Sequence, residues 1–394
     1  MTLRPTRRGL LLGLAASAAL GRARIAFART EGNRRLVVVI LRGALDGLFA
    51  VQPYGDAALA GLRAPLVLPE PGQEGGLLDL GGFFGLHPAM PALHGLYAAG
   101  EAAVLHAVAG PWRSRSHFEA QDFLESGGTE RLTSGWLNRA LAALPNSAEA
   151  RAGIAIGPGM PLLLRGPVPV GAYAPPGLER PPLELIDRIA ELQAADPLLA
   201  PVLAEGMRAR DFVRHALGAP AAEDRERKGF VRLAAAAGRL LAAAEGPRVA
   251  AMELGGWDTH AAQPQRLVPM LRTLDEGLAA LKEGLGSAWP QTAVLVVTEF
   301  GRTARVNGNT GTDHGTGGAA FLLGGAVAGG RVIADWPGLG EGRLLEDRDL
   351  MPTLDLRRIA KGLLRDHLRL PEAAVARAFP DSADAPALAG LVRA

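Results

Sequence analysis

Three short segments gather the residue types that do chemistry: Gly-Trp-Asp258-Thr-His260, Thr-Glu299-Phe-Gly-Arg302 and Asp313-His314-Gly. The first two lie at or just past the carboxyl end of an apolar run that reads as a buried strand. The third follows the second after a short loop rich in glycine and asparagine. Carboxylates and imidazoles beyond the strand ends of an open α/β sheet sit where such folds bind ligands. Asp, Glu and His together also form a donor set that suits a divalent metal. Asp258 and His260 are two apart, so on an extended segment both side chains project to one side. A metal can bridge them if a third ligand comes from another loop, and Asp313 and His314, between Gly311 and Gly315, are candidates. Asp46 after the first strand and Glu299 after the fourth are candidates for a further metal ligand or a general base. Each has a plainer reading: Asp258 as a helix cap, His260 as a loop residue, Asp46 as a turn residue, and Glu299 as an ion-pair partner of Arg302.

Arg113-Ser-Arg115-Ser116-His117-Phe-Glu119 supports two roles. Ser116 with Glu119 three residues on has the spacing of a capping box that opens a helix. A serine at a helix N-terminus also lies in a field that stabilises an alkoxide and an incoming anion. Ser116 is therefore a candidate nucleophile, with Arg113 and Arg115 as clamps for phosphate or sulfate oxygens. The Ser-His dipeptide alone does not make a triad, because adjacent residues seldom meet in the needed geometry. His87 and His94 fall on a helical pattern and read as structural.

The positioning elements are legible as apolar runs. Leu36-Val-Val-Val-Ile-Leu41, 102–108, 248–254, 292–298 and 319–324 read as strands, the first of them buried on both faces. Helical patterns fall at 88–99, 116–126, 224–245 and 262–286. The alternation predicts a mainly parallel sheet covered on both faces. The interval 145–220 is dense in Pro and Gly and then helical, which predicts an insertion that covers one sheet edge and is a candidate lid. A last amphipathic helix is expected from Pro352 to Leu368, with Pro in its first turn, and the tail from Pro371 is expected to pack on the surface.

The chain has 394 residues, 48% hydrophobic, with 51 Gly, 29 Pro and a formal net charge of +2. Residues 1–28 hold five arginines and no acid, so the remainder is slightly acidic. With no basic run interleaved with aromatics, nucleic acid is excluded as a partner. Arg7-Arg8 precede an apolar segment of about a dozen residues, too short to span a bilayer comfortably. Ala26-Phe-Ala28 offers small residues at a cleavage position. These features predict a twin-arginine signal peptide over 1–28, with the export machinery as a partner and a periplasmic or secreted address. Residues 29–394 then form a single α/β domain with its insertion, with no further run of transmembrane length. The absence of cysteine excludes disulfides, thiolate ligands and a cysteine nucleophile.

The leader, Leu-Arg42-Gly-Ala-Leu-Asp46-Gly, Ser116-His-Phe-Glu-Ala-Gln121, Gly-Gly-Trp-Asp258-Thr-His260, Thr-Glu299-Phe-Gly-Arg302-Thr and Asp313-His314-Gly resemble the motifs of an exported bacterial family, domain of unknown function 1501. That family is grouped with the alkaline phosphatase and sulfatase superfamily. The resemblance implies a three-layer α/β sandwich around a mostly parallel sheet. It also implies two metal sites, one held by a first-strand Asp with a later acid-histidine pair and the other by an Asp and two His. Carried over, Asp46 matches the first-strand acid, Ser116 the nucleophile, Asp258, His260 and His314 the second set, and Glu299 the later acid. Phe300 departs from the pattern, standing where the superfamily has a His, and leaves one site short of a ligand. The Asp-x-His spacing is also tighter than usual, and a formylglycine motif is not found. The expectation is an exported metal-dependent hydrolase of phosphate or sulfate esters using Zn, Mn or Ca. Ser116, Arg113 and Arg302 would be catalytic, and Asp46, Asp258, His260, Glu299, Asp313 and His314 metal ligands. The alternative is a catalytically inactive binding or assembly module on the same fold.

Overall fold

The computed structural model describes residues 34–145, 152–174, 183–193, 196–197, 199–217 and 229–393. The expected signal peptide lies outside the described residues. Nine strands form one sheet: β1 (Arg35–Arg42), β2 (Ala102–Ala109), β3 (Gly153–Ile156), β4 (Gly171–Tyr173), β5 (Val249–Gly255), β6 (Thr292–Thr298), β7 (Gly318–Leu323), β8 (Arg331–Ile333) and β9 (Leu354–Asp355). Their order is β8-β2-β7-β6-β1-β5-β3-β4, with β9 also beside β2. The expected five runs are all strands. Because side chains alternate across a strand, β1 sends Val37, Val39 and Leu41 into one core and Leu36, Val38 and Ile40 into the other.

Register decides where the functional loops emerge. β1 is parallel to both β5 and β6, with Arg42 opposite Gly255 and Leu41 opposite Thr298. The loops holding Asp46, Asp258 and Glu299 therefore leave the sheet at one edge. Among the described strands of this sheet β7 alone runs antiparallel to its neighbours, and its first residue, Gly318, pairs with Val108 near the end of β2. That reversal brings Asp313 and His314, which precede β7, to the same edge.

Helices cover both faces, as expected for a three-layer α/β sandwich. α3 (Pro91–Ala98), α8 (Gly229–Ala242) and α9 (Gln263–Leu285) pack on one side. α5 (Trp136–Leu141), α10 (Leu356–Gly362) and α11 (Glu372–Ala378) pack on the other. Three local expectations are corrected. The 145–220 segment adds β3 and β4 to the sheet, through parallel pairing of β3 with β5, before α6 (Leu183–Gln193) and α7 (Leu199–Leu217). The last long helix begins at Leu356 rather than Pro352, because Asp355 pairs in β9 and caps it, accepting from Arg357 N. The tail past Pro371 enters the core: Ala374, Val375 and Ala378 make an apolar stripe on α11, and Phe379 stacks on Trp136 at 5.2 Å. None of the described helices is long and apolar enough to cross a membrane.

Asp46 anchors the turn after β1. It caps the short α1 (Gly47–Ala50), accepting from Phe49 N, and its carboxylate also pairs with Arg63 at the end of α2 (Leu59–Arg63). Gln263 Nε2 donates to it at 2.7 Å, and both ionic partners are 1% exposed. Burial alone would raise the carboxyl; the Arg63 charge, with hydrogen bonds from Arg63 and Gln263, more than reverses this and holds it below the usual range. Removing one partner from a buried pair strands the other charge. Arg63→Met should therefore cost about 3–5 kcal/mol in urea unfolding at pH 7. The stability carried by a lowered carboxyl is complete above its unfolded value, about 3.9, and is lost as pH falls through the folded value. The deficit of Arg63→Met should accordingly shrink at pH 3, and an equal deficit at both values would show that charge pairing is not its source.

Candidate metal centre

Arg302 assembles the site. Its side chain is fully buried, donating to Ala44 O at 2.9 Å, Thr312 O at 3.0 Å, Gly43 O at 3.0 Å and Trp257 O at 3.1 Å. It also reaches Asp258 Oδ1 at 2.5 Å. One planar cation thus binds the loops after β1, β5 and β6 and the loop before β7. Those loops pass so closely that a Cβ on Gly311 would lie 2.2 Å from the His260 carbonyl carbon, and one on Gly315 2.3 Å from that of Arg302.

Within this frame His117, Asp258 and His314 present ligand atoms within 4.8 Å of one another, a group that could hold a metal ion. His117 Nε2 lies 3.0 Å from His314 Nε2 and 3.5 Å from Asp258 Oδ2. His260 joins them, its Nε2 lying 3.1 Å from His314 Nε2 and 2.9 Å from Asp258 Oδ1. Asp258 Oδ1 is 3.3 Å from His314 Nε2. Ligands held about 2.0–2.2 Å from a tetrahedral ion stand about 3.3 Å apart, so this spacing fits one ion.

The far side of each ring says what the near side can do. His117 Nδ1 meets Glu299 Oε1 at 2.8 Å, His314 Nδ1 meets the Arg115 carbonyl at 2.7 Å, and His260 Nδ1 meets Asp313 Oδ1 at 3.1 Å. Carboxylates and carbonyls only accept, so each Nδ1 carries the hydrogen. The neutral rings then aim Nε2 lone pairs at one another across about 3 Å, a repulsive arrangement unless a proton or a cation lies between them. Burial raises Glu299, but hydrogen bonds from His117 and Gln121 lower it overall, and the hydrogen bond from His260 lowers Asp313, so both stay anionic. His117 is raised, chiefly by its bond to Glu299, while burial lowers His314. Of these two rings, His117 is the one that favours the proton. Phe300 stacks on His117 at 4.9 Å and lies 5.2 Å from His314, limiting both rings.

The expected site residues thus separate. Asp258, His260 and His314 come together as ligand candidates. Glu299 and Asp313 stand one layer out, orienting His117 and His260. Asp46 is not in the cluster, because Arg63 and Gln263 occupy its carboxylate. Arg302 pairs with Asp258 rather than Glu299, and its hydrogens are spent on the loops. Arg113 is turned onto the Gly110 and Trp112 carbonyls rather than toward the cluster. Ser116 takes the cap position of α4 (His117–Ser126) without a side-chain cap bond, and the Glu119 carboxylate accepts from Ser114 Oγ at 2.7 Å rather than from Ser116 N. The capping box is not made.

His117 is the residue that sequence reasoning passed over. It opens α4 beyond the carboxyl end of β2, the same topological position that marked the other candidates, and that was its available signal. Nitrogen-15 NMR of the metal-free chain well above the titration of His117 should find the proton on Nδ1 of His117 and His314. An Nε2–H tautomer at either ring would remove the lone pair that a metal needs.

Among known proteins, the family described as "Protein of unknown function (DUF1501)" matches residues 106–379. No curated protein matches the chain. A protein in the alkaline phosphatase superfamily from Vibrio parahaemolyticus is 13% identical, over 83% of this chain and 71% of that one, with a TM-score of 0.32. The phosphonate monoester hydrolase of Agrobacterium radiobacter is 12% identical, over 86% of this chain and 74% of that one, with a TM-score of 0.33. Because the family match spans more than half of its length, the chain belongs to the DUF1501 family of proteins of unknown function.

Proposed function

We propose that His117, Asp258, His260 and His314 hold one divalent metal ion, and that the chain is an exported metal-dependent hydrolase of phosphate or sulfate esters. The observation that carries the reading is the convergence of three imidazole Nε2 atoms on one carboxylate, with every Nδ1 engaged by an acceptor. Export rests on the paired arginines and apolar stretch of residues 1–28. Three imidazoles favour zinc over calcium, which takes oxygen ligands. When bound, such an ion supplies Lewis acidity and neutralises charge on the transferring group. The chain's own groups prepare the site: Arg302 holds Asp258, and Glu299, Asp313 and the Arg115 carbonyl fix the three rings. Asp258 and His260 are almost half exposed, whereas His117 and His314 are more enclosed, so a substrate would arrive from the Asp258–His260 side. The Ser116 hydroxyl, beside His117 and free of a capping role, is the candidate nucleophile.

A second reading, a catalytically inactive module with a structural metal, is favoured by two observations. Four protein ligands close a tetrahedral shell, whereas catalytic zinc sites keep a position open. In addition, Arg113 and Arg302 are engaged as described, and Arg115 pairs with Asp349 and Glu346, so the guanidiniums nearest the site are committed to the fold.

Elemental analysis after dialysis should find about one divalent ion per chain, and none in His117→Ala. Because the ion needs neutral imidazoles, its affinity should fall as pH drops through the raised titration of His117. A metal-free parent whose melting temperature ignores zinc, manganese and chelator would defeat the metal reading. For the chemistry, Ser116→Ala should abolish hydrolysis of an aryl phosphate or aryl sulfate, leave metal content unchanged, and cost little stability because no cap bond is lost. Full activity in Ser116→Ala would remove the serine from the mechanism. A metal-loaded parent inert across a broad ester panel would establish the inactive-module reading.

A further inference from the structure

Gly110–Ser116, which links β2 to α4, is itself neither helix nor strand. Yet its Arg115 carbonyl holds the His314 ring at 2.7 Å, a contact that must be accurate to aim Nε2. What fixes that carbonyl is the Arg115 side chain, whose Nη2 donates to Asp349 Oδ2 at 2.9 Å and to Glu346 Oε2 at 2.7 Å, with Nε reaching Asp349 Oδ2 at 3.2 Å. Asp349 is completely buried and 234 residues away in sequence, and it also accepts from Thr316 Oγ1 at 2.9 Å and Arg348 Nη1 at 3.1 Å. Its backbone bridges Thr303, the neighbour of Arg302, which itself bridges His314. Just before it, Glu346 and Asp347 both adopt left-handed backbone, at φ 54° and 52°. Non-glycine residues hold that conformation at a cost, and such strain persists where the surroundings over-determine it.

We infer that Asp349 is a positioning residue of the metal centre: through Arg115 it places the backbone carbonyl that orients His314. This rests on the metal reading, and it adds to the Glu299–His117 and Asp313–His260 pairs a third orienting arm that acts through the main chain. Outer partners of metal-bound histidines set ring direction, and their loss typically weakens metal binding by about 10–100-fold. Asp349→Asn removes the charge that grips the guanidinium with little change of shape. Arg115→Ala makes the same cut at a partly exposed side chain, so it tests the idea even if the buried Asp349 variant folds poorly. Arg343→Ala removes an exposed charge from the segment that precedes Asp349, and it serves as the control.

The experiment is zinc affinity of the full chain by chelator competition, with visible spectra of the cobalt-loaded protein as a second readout. Asp349→Asn and Arg115→Ala should each bind zinc at least about 10-fold more weakly and shift the cobalt bands. The double variant should be no worse than the weaker single one, since both act through one contact. Arg343→Ala should stay within about twofold of the parent. If the parent binds zinc and both variants match it, with unshifted cobalt spectra, the inference is overturned even where the variants melt at lower temperature. A parent that binds neither ion overturns the metal reading itself, and this inference with it.

Discussion

The site depends on a buried guanidinium that is engaged at each of its three nitrogens. Arg302 enters the protein interior with Asp258 as its charged partner and four backbone carbonyls as further acceptors. A cation in that position is tolerated because it is both paired and hydrogen-bonded, and removing any one partner would leave a desolvated charge. The constraint runs in both directions. The loops after β1 and β5 and before β7 cannot drift without uncovering Arg302, and Asp258 cannot swing away from the histidines without abandoning it. A lysine could not replace this fork, which makes separate bonds in fixed directions.

The sheet delivers those loops to one place. Parallel pairing of β1 with β5 and β6 ends three strands together, and the reversal at β7 lets a segment that precedes its strand join residues that follow theirs. A fully parallel sheet would carry Asp313-His314 to the opposite edge, about 20 Å away for a six-residue strand. The antiparallel strand is therefore what allows Glu299 and His314, close in sequence on either side of a loop, to face the same histidine.

These relations explain what could be read from the residues and what could not. The strands were legible because continuous β-branched runs between polar loops have few alternatives, and Asp258, His260 and His314 stood out as polar groups at their ends. Partners were not legible. Nothing local to Asp46 indicates that its carboxylate will be met by Arg63 from a separate short helix. Glu299 reads equally well as a ligand, a base or half of an ion pair until His117, 182 residues away, is seen to fill the role. His117 itself was masked by Ser116: the pair suggested a nucleophile, and the capping-box spacing suggested a helix start, so the imidazole drew no separate reading. The short β3 and β4, set among prolines and glycines, lack the length that makes a strand evident.

Charge balance gives the cluster its direction of use. Asp258, Glu299 and Asp313 all titrate low, each against a burial cost that its hydrogen bonds and neighbouring charges outweigh. Against these three anions the cluster sets one guanidinium, Arg302, and three rings whose neutral form is the one that can bind a metal. The raised His117 answers part of the excess by taking a proton, and a divalent cation answers all of it. An anionic ester approaching the cation-free cluster would meet net negative charge. After a divalent ion binds, the same walls are neutral and the ion is the local positive centre. Under the proposed reading ion binding would precede anion binding, and proton release from His117 would measure that first step.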